Sequence, residues 1–442
     1  MKKTYLLAGT SAVAAMVGAL FVGPAAAETT LNIATVNNSD MIIMQKLSPK
    51  FEAATGIKIN WVVLEENVLR QRVTTDIATK GGQFDVMTIG SYEAPIWGKL
   101  GWLNSVDDLG DAYDYKDLIP QVKEALSANG KMYAVPFYAE SSFTFYRKDL
   151  FDKAGITMPD KPTYAQIAEY ADKLTDKSKE QYGICLRGKP GWGDNMAFFD
   201  TLVNAYGGQW FDMQWKPQLD SDAWKAAIKW YLDVMAKDGP PGASAAGGNE
   251  AQTVFMSGHC AIYIDATSIA GRIYNPSMSQ VVDKTAFTAS PITDKNPKAS
   301  GWSWSWALAI PASSQKADAA KKFLAWSTSK EYVKLVGETQ GWVSAPPGTR
   351  LSTYANPAYI NAAPFAETVL KAIETTDPDH PTVNPVPYTG IQFVAIPEFQ
   401  AIGTQVAQEI AAALAGQQTG DQALEKAQTA TERAMKAAGY PK

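Results

Sequence analysis

The chain is short of the residues that most enzyme chemistry needs. Its 442 residues include two histidines and two cysteines. His259 precedes an apolar run and His380 sits in the segment DPDHP. Neither stands at metal-ligand spacing from a cysteine or another histidine. No G-x-S-x-G elbow occurs, and without a paired histidine a nucleophile triad has no base. Gly183-Ile184-Cys185-Leu186-Arg187-Gly188-Lys189 keeps phosphate-loop spacing, but Pro190 follows it. Proline has neither a hydroxyl for Mg²⁺ nor a backbone N–H for phosphate. No catalytic residue, metal site or cofactor is expected.

Clustered positive charge is also missing. Forty Lys and Arg against 45 Asp and Glu leave a net charge of −5, with no run of five like charges, so nucleic acid is not an expected partner. Tyr5 to Gly23 is apolar and small, with Lys2 and Lys3 before it and Ala25-Ala26-Ala27 after it. This reads as a cleavable secretory leader over residues 1–27 and predicts a periplasmic protein. After it, no apolar run is long enough to span a bilayer. In an oxidising compartment Cys185 and Cys260 could pair. Both lie in apolar strand-like runs where buried free cysteine is common, and the unpaired state is set slightly ahead.

Against these absences stands a regular α/β rhythm. Leu31–Val36, Lys58–Leu64 and Phe84–Ile89 read as strands separated by helical stretches at 41–54 and 66–79. That order predicts a parallel sheet with right-handed crossovers. Pro49 should kink the first helix or mark its restart. Tyr133–Pro136 and Phe143–Tyr146 are strand-like and flank the polar link Phe137–Ser142, which reads as a crossing between two lobes. Thr163-x-x-Gln166 is a capping box that opens a second run of helices and strands. The proline-rich stretch Asp377–Pro397 is expected to wrap the surface.

In open α/β sheets, ligands lie beyond the carboxyl ends of the strands. Those ends offer Asn37 and Asn38, then Tyr92 and Glu93, then Tyr138, Glu140 and Ser141. The loop after Tyr182–Leu186 adds Arg187, Lys189, Trp192, Asp194 and Asn195. Asp265, Trp302 and Trp304 complete the set, while Trp306 is assigned to the core. Asp, Glu, Arg and Asn saturate hydroxyls with charge-assisted hydrogen bonds. Tryptophan faces cover the C–H side of a ligand at little entropic cost. The inventory suits a polyhydroxylated small molecule.

Several segments resemble one family in series. FEAATGIK (51–58), FDVMTIGSYEAPIWGKLGWL (84–103), the crossing segment KMYAVPFYAESSFTFYRKDLF (131–151), FMSGHCAIYID (255–265) and WALAIPASSQKADAAKKFLA (306–325) are similar to family 1 extracellular solute-binding proteins of ABC importers, the clan of the maltose-binding protein. ESSFTFYRKDLF, LRGKPGWGDN and PYTGIQFVAIPEFQ look most like its sorbitol/mannitol-binding branch.

The resemblance implies an α/β two-lobe periplasmic binding protein fold, each lobe a mostly parallel sheet flanked by helices, with the ligand cleft between lobes. It places residues 28–138 with 266–326 in lobe 1 and 139–265 with 327–442 in lobe 2. Hinges are expected near 139–142, 264–266 and 327–330. It puts the carboxylate of Glu140 on the ligand. It further implies a monomer that delivers a polyol to membrane permease subunits served by a separate ATPase. Two alternatives stay open: a mono- or disaccharide on the same fold, and a periplasmic glycoside-acting enzyme using Glu93 and Glu140.

Overall fold

A computed structural model of the chain describes residues 1, 3–4, 29–298 and 301–441. Apart from 1, 3 and 4, the expected leader lies outside the described residues. Among the described residues no helix is long and apolar enough to cross a membrane.

Two sheets carry the fold. The first lobe is built on β1 (Thr30–Val36), β2 (Lys58–Leu64), β3 (Val86–Gly90), β4 (Val135–Glu140) and β9 (Trp304–Ala309), in the order β2-β1-β3-β9-β4. The second uses β5 (Ser142–Arg147), β6 (Tyr182–Cys185), β7 (Cys260–Ala266) and β8 (Thr285–Ala289), in the order β8-β5-β7-β6. β1 is parallel to β2 and β3, as the sequence rhythm predicts. β9 is antiparallel to both its neighbours, and in the second sheet only β6 and β7 run parallel. The sheets are therefore mixed rather than mostly parallel. A parallel pair needs a long crossover, whereas a strand that arrives straight from the other lobe does not.

Local chemistry sets the helix ends that matter for the cleft. α1 (Ser39–Thr55) starts where Asn38 Oδ1 accepts from the Met41 N–H at 2.9 Å, and stops at Gly56, whose φ of 71° suits glycine. It runs through Pro49 as one helix. Proline has no N–H for the Gln45 carbonyl, and the Ser48 hydroxyl donates to that carbonyl at 2.9 Å instead. Met41, Met44, Leu47 and Phe51 form its buried stripe. In α2 (Glu66–Thr79) the Glu65 carboxylate caps the N–H groups of Asn67 and Val68.

Three chain segments that run between the lobes meet at one place. Between β4 and β5 there is one residue, Ser141. β7 returns toward the first lobe at Thr267, whose N–H donates to Ser141 O at 2.8 Å while Ser141 N donates to Thr267 Oγ1 at 3.1 Å. The third crossing leaves β8 and enters β9; its Ser290 hydroxyl lies 2.8 Å from Ser142 Oγ. The crossings are thus tied side by side.

This topology departs from the expected lobe boundaries in two places. β8 belongs to the second sheet, although it falls within 266–326. The step at 327–330 only joins α5 (Ala317–Ser327) to α6 (Lys330–Gln340), and the chain stays with the first lobe beyond it. There the buried Arg350 guanidinium donates to the carbonyls of Thr328, Tyr113 and Asp114 and pairs with Asp117. The chain then returns through the proline-rich stretch to α7 (Phe399–Leu414) and α8 (Gly420–Ala437), which pack on α3 (Asn195–Ala205) and α4 (Asp222–Asp238). Its first half, 377–387, is largely exposed as expected, but the second half turns inward. Tyr388, Ile391, Phe393 and Val394 are buried, and Asn204 Nδ2 satisfies the Ile391 carbonyl at 2.9 Å.

Cys185 and Cys260 form a disulfide joining β6 to β7, contrary to the expectation of free thiols. The two strands are neighbours in the second sheet, and the cysteine Cα atoms lie 6.2 Å apart. The bridge closes a separation of 75 residues. Replacing both cysteines by serine is expected to lower stability by about 2–4 kcal/mol. Urea unfolding under oxidising conditions measures this, and an unchanged midpoint would contradict it.

Candidate functional site

A cavity of about 440 Å³ lies between the lobes against the crossings. Its size is that of a small-molecule site. From the first lobe come the turn after β1 with Asn37 and Asp40, and the start of α2 with Glu65, Glu66 and Arg70. The second lobe supplies Arg187, Lys189, Trp192 and Asp194 from the loop after β6, and Asn249, Glu250 and Gln252 from a short helix. Ser268 and Arg272 follow β7, and Trp302, Trp304 and Trp306 enter along β9.

Glu140 is the last residue of β4 and is 7% exposed. The Ser268 hydroxyl donates to its carboxylate. Burial pushes its pKa up to about 8; Ser268 and Arg187 pull it down, and Asp265 opposes them. Arg187 donates from Nε to Asp265 Oδ2 at 2.8 Å and from Nη1 to Gly193 O at 3.0 Å. Asp265 is fully buried on β7 and also accepts from Tyr263 Oη at 2.8 Å. It stands behind Arg187 and fixes its fork instead of lining the cavity.

Arg70 organises the aromatic wall. Its guanidinium carbon lies 4.0 Å from the Trp192 ring centroid, 4.6 Å from Trp306 and 5.0 Å from Trp304. Glu66 and Glu93 each pair with it at 2.8 Å. Burial alone would lower its pKa, but these two carboxylates reverse that and raise it. The Trp304 ring covers Gly90 so closely that a Cβ there would lie 1.9 Å from Cζ2. Trp302 and Trp192 also line the cavity, and the Trp192 indole N–H is buried without a hydrogen bond inside the protein.

The expected site residues thus divide into two groups. Asn37, Asn38, Tyr138, Glu140, Arg187, Trp192, Trp302 and Trp304 line the cavity. Within this group Asn38 is already engaged, capping α1 and donating to Tyr138 Oη at 3.3 Å. Trp306 lines it too, contrary to its assignment to the core. Tyr92, Glu93, Ser141, Asn195 and Asp265 do not line it. Tyr92 donates its hydroxyl to Ile396 O at 2.9 Å and packs on Trp192 at 4.9 Å. Glu93 holds Arg70 and accepts from the Gly90 N–H at 2.8 Å. Ser141 forms the crossing, and Asn195 ties the Gly191 N–H to the Ala407 carbonyl. Tyr92, Glu93 and Asp265 each support a lining residue from behind.

Sequence reasoning missed Asp40, Glu66, Arg70, Ser268 and Arg272. All five sit in the first turns after a strand end, where a helical side chain can still lean back over the strand tip. The Glu66–Arg70 spacing of four was the one available signal. Glu93, expected to partner Glu140 in a glycoside-acting enzyme, is locked on Arg70 outside the cavity wall. Among the described residues no group of three His, Cys, Asp or Glu side chains is placed to hold a metal ion.

Two lobes joined by adjacent crossings and closing a polar, tryptophan-walled cavity define the class of a solute-binding protein. The chain belongs to the bacterial extracellular solute-binding protein family, whose profile matches residues 37–334. It is 54% identical over 416 residues to the mannitol-binding protein of Pseudomonas aeruginosa, covering 93% of this chain and 94% of that one. An ABC transporter solute-binding protein from Agrobacterium vitis, solved with bound D-mannitol, is 59% identical with a TM-score of 0.92 over 94% of this chain and all of that one. A counterpart from Agrobacterium radiobacter in complex with ribitol is 26% identical, with a TM-score of 0.81 over 92% of this chain and 98% of that one.

Asp194 shares the behaviour of Glu140: burial and the facing Glu66 push its carboxyl up to about 7 against Arg187 and Lys189. Both groups have folded-state pKa values above the unfolded range near ~4. Their contribution to stability is therefore complete below about pH 4 and is lost as pH rises through about 7 to 8. The urea midpoint of ligand-free protein should fall between about pH 5 and 8, and fall less in Glu140→Gln. Identical slopes in the two proteins would contradict the raised Glu140 value.

Proposed function

We propose that this chain is the periplasmic binding component of an ABC importer and takes an acyclic sugar alcohol of the mannitol type into the cleft. The carrying observation is one cavity that Glu140, Arg187 and the tryptophan faces line together. An acyclic polyol carries a hydroxyl on every carbon and buries little continuous apolar face. It needs donors and acceptors along its whole length, and this cavity offers them at both ends, with Glu140 and Arg187 at the crossings and Asp40, Arg70 and Asp194 nearer the first lobe.

The ligands named for two relatives, D-mannitol in both, support this reading at 54% and 59% identity. Closure about the three crossings would bury the ligand and present one fixed shape to the permease subunits, which draw on an ATPase carried by another chain. The glycine-rich 183–189 segment supports that division of labour. A Cβ at Gly183 would meet the Ala171 carbonyl at 2.1 Å, and one at Gly188 the Ala243 carbonyl at 2.2 Å. These glycines serve chain packing.

Titration calorimetry with D-mannitol, sorbitol, arabitol, glucose and maltose tests the proposal. Heat is expected with the hexitols, and little with maltose. Glu140→Ala should weaken hexitol binding by about tenfold or more, the effect of losing one charged hydrogen bond. Absence of heat with every polyol would remove the ligand assignment. Turnover of a chromogenic glycoside would remove the binding-only reading.

A further inference from the structure

The lobes touch each other beside the cavity, through residues of which Asn67, Pro190 and Gly191 do not line it. The start of α2, in the first lobe, meets the Lys189–Asp194 loop of the second. Asn67 Nδ2 donates to the Asp194 carboxylate at 3.1 Å and to the Pro190 carbonyl at 3.3 Å. Lys189 pairs with Glu65 beside it. The loop approaches at glycine distance: a Cβ on Gly191 would lie 2.5 Å from Asn67 Oδ1 and one on Gly193 2.3 Å from Glu66 Oε1. Neither glycine has a positive φ. Their neighbour across the gap, and not their own backbone, is what a side chain would offend.

We infer that Asn67 and Gly191 form a latch that sets ligand affinity without touching the ligand, by stabilising the closed arrangement of the lobes. This rests on the reading of the chain as a binding protein that closes on its ligand. Neither residue lines the cavity. Apparent affinity scales with the fraction of molecules able to adopt the closed form, so contacts made only between lobes raise it at every ligand. A methyl on Gly191 can be accommodated by turning the Asn67 amide away, which breaks both of its hydrogen bonds. The two positions therefore act as one unit.

The test uses Asn67→Ala, Gly191→Ala and the double variant. Two quantities are read: the D-mannitol dissociation constant by calorimetry, and the closed fraction of ligand-free protein by single-molecule fluorescence transfer between labels on the two lobes. Each single variant should reduce the closed fraction and raise the dissociation constant by about three- to tenfold. The double variant should show no more than the larger single effect. The ligand-free melting temperature should stay at the wild-type value, which a merely structural role would not leave in place. A closed fraction unchanged in both single variants overturns the latch, and so do penalties that multiply in the double variant. Wild-type protein that ignores mannitol while its variants lose closed fraction would remove the ligand assignment and leave the latch standing.

Discussion

The single-residue passage from β4 to β5 is the constraint on which the site depends. With only Ser141 between two sheets, the end of one lobe and the start of the other cannot separate. Thr267 and Ser290 bond the other two crossings to the same spot. The floor of the cleft is therefore fixed while its walls can swing, and Glu140 stands on the fixed part. A carboxylate there keeps its position whether the lobes are apart or together, and only the walls need to be brought to the ligand.

Two guanidinium groups, Arg70 buried and Arg187 mostly so, do the corresponding work on the walls, and they are built alike. Arg187 is held by Asp265 and lies 5.4 Å from the Trp302 ring centroid; Arg70 is held by Glu66 and Glu93 and lies among three tryptophans. A buried cation without its carboxylate would be costly, so the supporting acids Asp265 and Glu93 must be occupied and cannot also serve as ligand contacts. Their burial at 0% and 2% exposure reflects that role. The same arrangement leaves Glu140 without a full counter-charge of its own, which is why burial dominates its pKa.

Much of the fold was legible in the chain. β1 to β3 and the helices between them announce themselves by periodicity, and the polar link at 137–142 marks the crossing. What misled was direction and return. Nothing local distinguishes a strand entered through a helical crossover from one entered from the other lobe, so the sheets read as more parallel than they are. Likewise, Pro-rich composition suggested a surface wrap for 377–397. Its second half instead buries Tyr388, Ile391 and Phe393, with Phe393 against Tyr92 and Trp192.

By itself the sequence determined the alternation of elements, the strand tips that carry polar and aromatic residues, and the lack of a nucleophile elbow or of histidines at metal-ligand spacing. These are local matters, written in spacing and residue type. Only the tertiary structure decided which tip residues face the cavity and which stand behind it. Glu93 and Asp265 could not be told from Glu140 along the chain, because a carboxylate's role is set by whether an arginine from a distant element takes it first. Pairing of Cys185 with Cys260 was settled in the same way, by two strands far apart in sequence lying side by side in one sheet.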